Sequence, residues 1–166
     1  MIIVAGLLIA LDQVTKLWVA HSFPLGGPGE PLFLGFHITH VRNTGAAFGI
    51  LQDGTLFLAI LSAVVATGIF AYLLAKRQEL PALQKLALVL VFSGAVGNMI
   101  DRFAYGYVID FIHFRVGSFD FPVFNVADSC VVVGAALLIL SSFRHPAKRA
   151  AKEGELGEPD FFNRVD

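Results

Sequence analysis

Four stretches of this chain are apolar over lengths that could cross a membrane, at about residues 3–20, 54–75, 83–101 and 126–143. About 20 apolar residues cover the hydrocarbon core of a bilayer as a helix, so the pattern predicts four transmembrane helices. The second stretch contains no charged residue, whereas the first contains Asp12 and Lys16. We interpret the first stretch as a retained helix, because it lacks the basic start and the cleavage site of a secretory signal.

Basic residues are concentrated in the connection between the second and third stretches and in the segment after the fourth. They are Lys76, Arg77, Lys85, Arg144, Lys148, Arg149 and Lys152. Lysine and arginine are enriched in cytoplasmic loops, so we expect both termini to be cytoplasmic. The long connections at residues 22–53 and 103–124 then face outward.

These outer connections contain segments that favour β-strands. Residues 32–41 are β-prone and alternate from Phe36, and residues 119–124 are a second extended candidate. Open sheet edges are not satisfied in hydrocarbon, so the sheet is expected on the membrane surface. The predicted fold class is an all-α membrane protein with four transmembrane helices and a small extracytoplasmic β-sheet and loop region. We expect residues 1–143 to form one domain and residues 144–166 to be a polar, disordered cytoplasmic tail.

Composition agrees with a membrane protein. The chain is 56% hydrophobic and 15% charged, with a mean hydropathy of +0.72, against roughly 45–50% apolar and 25% charged residues in soluble domains. The single cysteine, Cys130, excludes an intrachain disulfide framework and a multi-cysteine metal site; we expect it to be a core residue. No basic, aromatic-interleaved surface points to a nucleic acid partner.

Two acidic residues flank the last outer connection. Asp110 lies in Val108-Ile109-Asp110-Phe111, and Asp128 ends Phe124-Asn125-Val126-Ala127-Asp128. Either alone would be interpreted as a helix cap or an ion-pair partner. With Asp12 and Asp101, however, they gather near one face of the predicted bundle. Two carboxyl groups in a poorly solvated place can share one proton, so the pair predicts hydrolytic chemistry.

Further polar residues accompany these acids. Asn125 precedes Asp128 by three positions and can hydrogen-bond near its carboxylate. For Asn43, local capping is favoured over a hydrogen bond to a substrate. Asp101 and Arg102 are interpreted first as a structural ion pair, and a substrate contact from Arg102 or Asn98 remains open.

Other polar residues are assigned structural or surface positions. An Asp12–Lys16 pair, four residues apart on one helix face, would lower the cost of burying both charges. His37, His40 and His113 form no tight cluster with acids at metal-ligand spacing, so surface or interfacial positions are expected and no metal site is predicted.

Five motifs occur in order along residues 5–143 and together resemble the lipoprotein signal peptidase (signal peptidase II) family. They are Leu11-Asp12-Gln13-x-x-Lys16, Asn43-Thr44-Gly45-Ala46-Ala47-Phe48-Gly49, Gly97-Asn98-x-x-Asp101-Arg102, Val108-Ile109-Asp110-Phe111 and Phe124-Asn125-x-Ala127-Asp128. The resemblance implies a four-helix membrane aspartyl endopeptidase that removes signal peptides from prolipoproteins, cleaving before the diacylglyceryl-modified cysteine. It implies that Asp110 and Asp128 are catalytic. It also implies a substrate-binding or supporting role for Asp12, Asn43, Asn98, Asp101, Arg102 and Asn125.

The same resemblance sets expectations for partners and location. No metal or organic cofactor is expected, and the partners are lipidated prolipoproteins, membrane lipids and cyclic-peptide inhibitors such as globomycin. The protein is expected to be a monomer in the bacterial inner membrane, with its active site near the outer face.

Two alternatives compete with the peptidase. One is a small proton-coupled transporter, since intramembrane acids also serve as proton relays, although transporters usually show repeats and a midplane site. The other is a non-catalytic assembly factor whose acids are structural ion pairs.

Overall fold

The structure, a computed structural model, describes residues 1–46 and 50–143. Within these residues four long helices form: α1 (Ile2–Ser22), α2 (Thr55–Ala75), α3 (Ala82–Tyr105) and α4 (Val126–Phe143). Each is long and apolar enough to cross a membrane. The helices and the small sheet described below confirm the predicted fold class. The predicted tail at 144–166 lies outside the described residues.

Helix α3 occupies the centre of the bundle. It packs against α4, α2 and α1, and α4 also contacts α1. The outward faces of the helices expose large apolar side chains such as Ile3, Val64 and Ile139, as lipid contact requires. Helix α3 also continues four residues beyond the predicted end of the third span, so Asp101 and Arg102 lie inside its last turns.

Small residues let α3 and α4 approach closely. A Cβ atom added to Gly134 of α4 would lie 2.7 Å from the carbonyl oxygen of Ala87 and 2.7 Å from Cγ2 of Val91. On α3, a Cβ atom at Gly94 would overlap the carbonyl oxygen of Ala127. Tight backbone contact is a main source of helix association in membranes, so these glycines fix the distance between the two helices.

A four-stranded antiparallel sheet with the order β1-β2-β3-β4 lies outside the helices. Its strands are β1 (Glu30–Phe33), β2 (Phe36–Asn43), β3 (Val108–Val116) and β4 (Phe119–Asp120).

The sheet differs from the sequence expectation in two ways. The segment 32–41 is not one extended run: Leu34 and Gly35, at φ 49° and 86°, turn the chain between β1 and β2. The longest strand, β3, was not predicted, and it begins soon after α3 ends.

We predict that Gly134→Ala lowers the stability of the protein by about 1–3 kcal/mol, the usual range for overpacking. The matched control is Gly68→Ala on α2, where an added Cβ atom meets nothing within 4 Å. The control should be neutral or slightly stabilising, because alanine is the better helix former. Thermal unfolding in detergent, followed by circular dichroism, measures both. Equal melting temperatures for the two variants would contradict the close α3–α4 contact.

Candidate active site

Asp110 and Asp128 come together because the chain doubles back between them. Phe124 pairs with Ile112 of β3 through two hydrogen bonds, with N···O distances of 2.7 and 3.0 Å. The segment that enters α4 therefore runs beside β3. Asp110 projects from β3 and is 2% exposed, and Asp128 lies in the first turn of α4.

Asn125 joins the two acidic residues directly. Its side-chain Nδ2 donates to Oδ1 of Asp110 at 2.7 Å, and its Oδ1 accepts the backbone N–H of Asp128 at 2.8 Å. Oδ2 of Asp128 in turn accepts the backbone N–H of Asn125 at 3.2 Å. These reciprocal bonds form a capping box at the start of α4, so the helix cap and the candidate site share residues.

Two more asparagines complete the contacts of the pair. Asn98 Nδ2 donates to Oδ1 of Asp128 at 2.7 Å, and Asn43 Nδ2 donates to Oδ2 of Asp110 at 2.9 Å. Every carboxylate oxygen of the pair therefore accepts an N–H. Asn43 Oδ1 also accepts the backbone N–H of Gly45 at 2.9 Å, so Asn43 makes the expected local turn bond and contacts the pair as well.

A β-bulge in β2 determines which side chain reaches Asp110. Ile38 pairs with Ile112, but Val41 pairs with Asp110, so β2 has one more residue than β3 in this interval. The register beyond the bulge makes Asn43 a diagonal neighbour of Asp110 on the same face. An uninterrupted register would place Arg42 there. Instead, the Arg42 guanidinium stacks over Tyr107, 4.6 Å from the ring centroid.

A group of three buried charged residues and one half-buried glutamine is connected to the pair. We call it the Lys16 cluster, and it consists of Asp12, Gln13 and Lys16 of α1 with Asp101 of α3. Lys16 Nζ lies 2.9 Å from Oδ2 of Asp12 and 3.0 Å from Oδ2 of Asp101. Gln13 Nε2 donates to Oδ2 of Asp12 at 3.1 Å and to Oδ1 of Asp101 at 2.9 Å. The expected Asp12–Lys16 pair therefore forms, and Asp101 completes it.

The Lys16 cluster is connected to the candidate site at two points. Lys16 Nζ donates to Oδ1 of Asn98 at 3.0 Å. Oδ1 of Asp12 accepts the backbone N–H of Ala127, in the first turn of α4, at 2.9 Å. Lys16 and Gln13 stand in the first sequence motif but were not among the predicted site residues, and their contact partners on α3 lie more than 80 positions away.

The prediction of an Asp101–Arg102 ion pair is wrong. Asp101 faces Lys16 and also accepts the backbone N–H of Ile109 at 3.1 Å. Arg102 Nη2 instead donates to the carbonyl oxygen of Gly45 at 3.1 Å. Successive side chains on a helix point about 100° apart, which separates these neighbours.

The electrostatics of Asp110 fit a shared proton. Burial, and after it the charge of Asp128, raise the pKa of Asp110 from its ordinary 3.8 to about 7, against the opposing effect of the bonds from Asn43 and Asn125. Near neutral pH the pair can therefore present one carboxyl group and one carboxylate, the two forms that acid–base catalysis needs.

The three histidines considered as metal ligands lie on β2 and β3. His40 and His113 are buried, so the expected surface position is wrong for these two. Nε2 of His113 lies 2.6 Å from Oδ1 of Asp120, and Nδ1 of His40 bonds the carbonyl oxygen of Phe23 at 3.1 Å. His37 stands directly opposite His113 in the β2–β3 register. Among residues 1–46 and 50–143, no group of three or more His, Cys, Asp or Glu side chains is arranged to hold a metal ion.

Comparison with known proteins agrees with this geometry. Residues 4–144 match the family described as signal peptidase (SPase) II. The chain is 40% identical over 147 residues to a lipoprotein signal peptidase of Serratia proteamaculans, covering 87% of this chain and 86% of that protein. It is 45% identical over 139 residues to one of Symbiobacterium thermophilum, covering 84% and 91%.

Solved structures described as bacterial membrane enzymes share the fold. One, determined at 2.3 Å, superposes with a TM-score of 0.79 at 34% identity and covers 89% of each chain. Another, determined at 1.9 Å, gives a TM-score of 0.75 at 35% identity, covering 87% of this chain and 92% of that one. Fold, motifs and sequence similarity therefore agree, and the chain belongs to the signal peptidase II family.

Proposed function

We propose that this protein is an aspartic-type endopeptidase that removes signal peptides from prolipoproteins, cleaving before the diacylglyceryl-modified cysteine. The observation that carries the proposal is the pair Asp110–Asp128, bridged by Asn125, with an N–H donor on every carboxylate oxygen. Family membership supplies the substrate class. The same family membership disfavours the transporter and the assembly factor.

The reaction begins with water between the two carboxyl groups. The ionised aspartate takes a proton from the water molecule while the water oxygen attacks the scissile carbonyl carbon. At the same time the protonated aspartate donates its proton to the carbonyl oxygen. The resulting gem-diol collapses as the C–N bond breaks. The leaving nitrogen takes up the proton that the first aspartate had accepted, and the second regains its proton from the collapsing diol.

We assign the resting proton to Asp110 and the negative charge to Asp128. Burial and the neighbouring charge raise the pKa of Asp110 to about 7. Asp128 lies in the first turn of α4, where the helix dipole and the free backbone N–H groups favour an anion. In this assignment Asp128 is the general base and Asp110 is the general acid.

Arg102 is our candidate for holding the substrate backbone. Within the described residues its Nε is buried and has no hydrogen-bond partner, while Nη2 bonds the carbonyl oxygen of Gly45. A buried donor without a partner costs about 1–3 kcal/mol. A carbonyl oxygen of the bound peptide could accept the Nε–H and remove that cost. The unpaired donor of Arg102 would therefore favour substrate binding.

We further propose that residues 1–143 act as one peptidase domain in the bacterial cytoplasmic membrane, as a monomer with both termini cytoplasmic. The active site then lies near the outer face, where water and a lipidated substrate both have access. Lipids would cover the exposed apolar faces of the helices. Cyclic peptides such as globomycin would inhibit by occupying the substrate position. The acid–base mechanism uses no metal or organic cofactor.

Replacement of either catalytic carboxyl group should abolish cleavage. For Asp110→Asn and Asp128→Asn we expect a loss of roughly 10²–10⁴-fold or more in kcat, since each removes one proton-transfer group. The assay is cleavage of a diacylglyceryl-modified prolipoprotein by purified protein. Asp120→Asn is the matched control, because Asp120 is an exposed acid on β4, and it should retain activity. Near-normal turnover by a variant at Asp110 or Asp128 would remove that residue from the pair.

Activity should depend on the protonation of Asp110. Because its pKa is raised to about 7, we expect kcat/KM to fall as pH rises through about 7, where the general acid loses its proton. The folded state also holds a proton that the unfolded chain releases near 4, so stability should fall as pH rises from about 4 to 7. Asp110→Asn should flatten this stability trend. An activity profile that is level from pH 6 to 8.5 would contradict the assignment.

The proposed orientation predicts a labelling pattern. In a Cys130→Ser background, Ser118→Cys between β3 and β4 should react with a membrane-impermeant maleimide in spheroplasts. Gln78→Cys between α2 and α3 should react only after the membrane is permeabilised, although both positions are exposed in the structure. The reverse pattern would show that the site opens to the cytoplasm.

A further inference from the structure

Lys16 has no direct contact with the catalytic pair, yet one of its bonds leads to it. An ammonium group has three N–H donors and no acceptor. The three acceptors around Lys16 Nζ are Asp12 Oδ2 at 2.9 Å, Asp101 Oδ2 at 3.0 Å and Asn98 Oδ1 at 3.0 Å. With the side chain only 1% exposed, all three donors are used inside the protein.

Two donors orient the Asn98 amide: Lys16 Nζ, and Asn125 Nδ2, which donates to the same oxygen at 3.1 Å. A group that can only donate must face the amide oxygen, so the NH₂ of Asn98 is turned away from Lys16 and toward Asp128. There it donates to Oδ1 at 2.7 Å. A flipped amide would set two donors against each other at Lys16 and two acceptors against each other at Asp128.

We propose, on the basis of the function proposed above, that Lys16 is a positioning residue for catalysis: it fixes the Asn98 amide so that Asn98 holds the Asp128 carboxylate for attack on water. Lys16 does not touch the reacting atoms. The charge of Lys16 also acts on Asp110, but the positioning effect proposed here passes through the Asn98 side chain. This separates the proposal from a purely structural role in which Lys16 only neutralises Asp12 and Asp101.

Gln13 offers a matched control for that structural role. It belongs to the same Lys16 cluster and donates to the same two carboxylates, Asp12 and Asp101. Its remaining bond goes to the carbonyl oxygen of Gly97 at 3.2 Å, and none of its bonds goes to Asn98. Loss of Gln13 therefore disturbs the cluster without releasing the Asn98 amide.

The test compares Lys16→Met with Gln13→Met on a diacylglyceryl-modified prolipoprotein. We expect Lys16→Met to lower kcat by about 10- to 100-fold, the effect of losing one hydrogen bond to a charged group, with KM little changed. Gln13→Met should lower the melting temperature but keep kcat near the wild-type value. Equal kcat values for Lys16→Met and wild type, or equal losses in the two variants, would overturn the proposal.

A double-mutant cycle tests the route through Asn98. If Lys16 acts by orienting this amide, adding Lys16→Met to Asn98→Ala should reduce kcat little further. Additive losses would show a role independent of Asn98 and would overturn the proposal.

If wild type itself does not cleave lipidated prolipoprotein, the proposed function fails and this inference fails with it. Normal turnover by Lys16→Met, in contrast, refutes the inference alone.

Lys16→Met leaves two buried carboxylates without their cation and can prevent folding. A second comparison keeps the buried charge balanced: Lys16→Met combined with Asp101→Asn removes one positive and one negative charge, and Asp101→Asn alone is its reference. We expect kcat of the double variant to be about 10- to 100-fold below that of Asp101→Asn. Equal turnover in these two variants would refute the positioning role.

Discussion

The structure depends on the need to surround a buried ammonium group completely. The Lys16 side chain is only 1% exposed, so bulk water cannot replace a missing partner, and Lys16 requires an acceptor for each of its three N–H groups. Asp12 comes from its own helix, while Asp101 and Asn98 come from α3. These bonds join α1 to α3. The bond from Lys16 to Asn98 also connects the Lys16 cluster to the catalytic pair, because Asn98 donates to Asp128.

The start of α4 meets two structural demands with the same atoms. The first turn of any helix has backbone N–H groups without intrahelical partners. Here Asp12 accepts the N–H of Ala127 and Asn125 accepts that of Asp128. Polar residues are therefore needed at this buried helix end for structural reasons alone, and the chemistry uses acceptors and donors that the fold has to supply there. A site built in this way adds few polar groups to an apolar interior.

Hydropathy alone locates the helices, because a lipid-exposed span must be apolar on nearly every face. The closeness of Asp110 and Asp128 also follows from the sequence, since a short connection between two spans returns the chain to the same end. The strand β3 does not follow, because Val108–Phe111 is buried at every position and its sequence does not alternate between apolar and polar residues. The partner of Asp101 depends on the rotation of α3 against α1. The contacts between α1 and α3 join residues that are 82 or more positions apart, so the local sequence pattern does not predict them.

The bulge in β2 moves the later residues of that strand by one position against β3. If the register of Ile38 with Ile112 continued without the bulge, Arg42 would replace Asn43 beside Asp110. A guanidinium there would favour the ionised carboxylate and so take away the proton that the pair shares. Removal of the extra residue itself would leave Val41 opposite Asp110 and keep Asn43 in its place. One additional residue, in a strand outside the catalytic pair, therefore determines whether a neutral amide or a cation stands beside the acid.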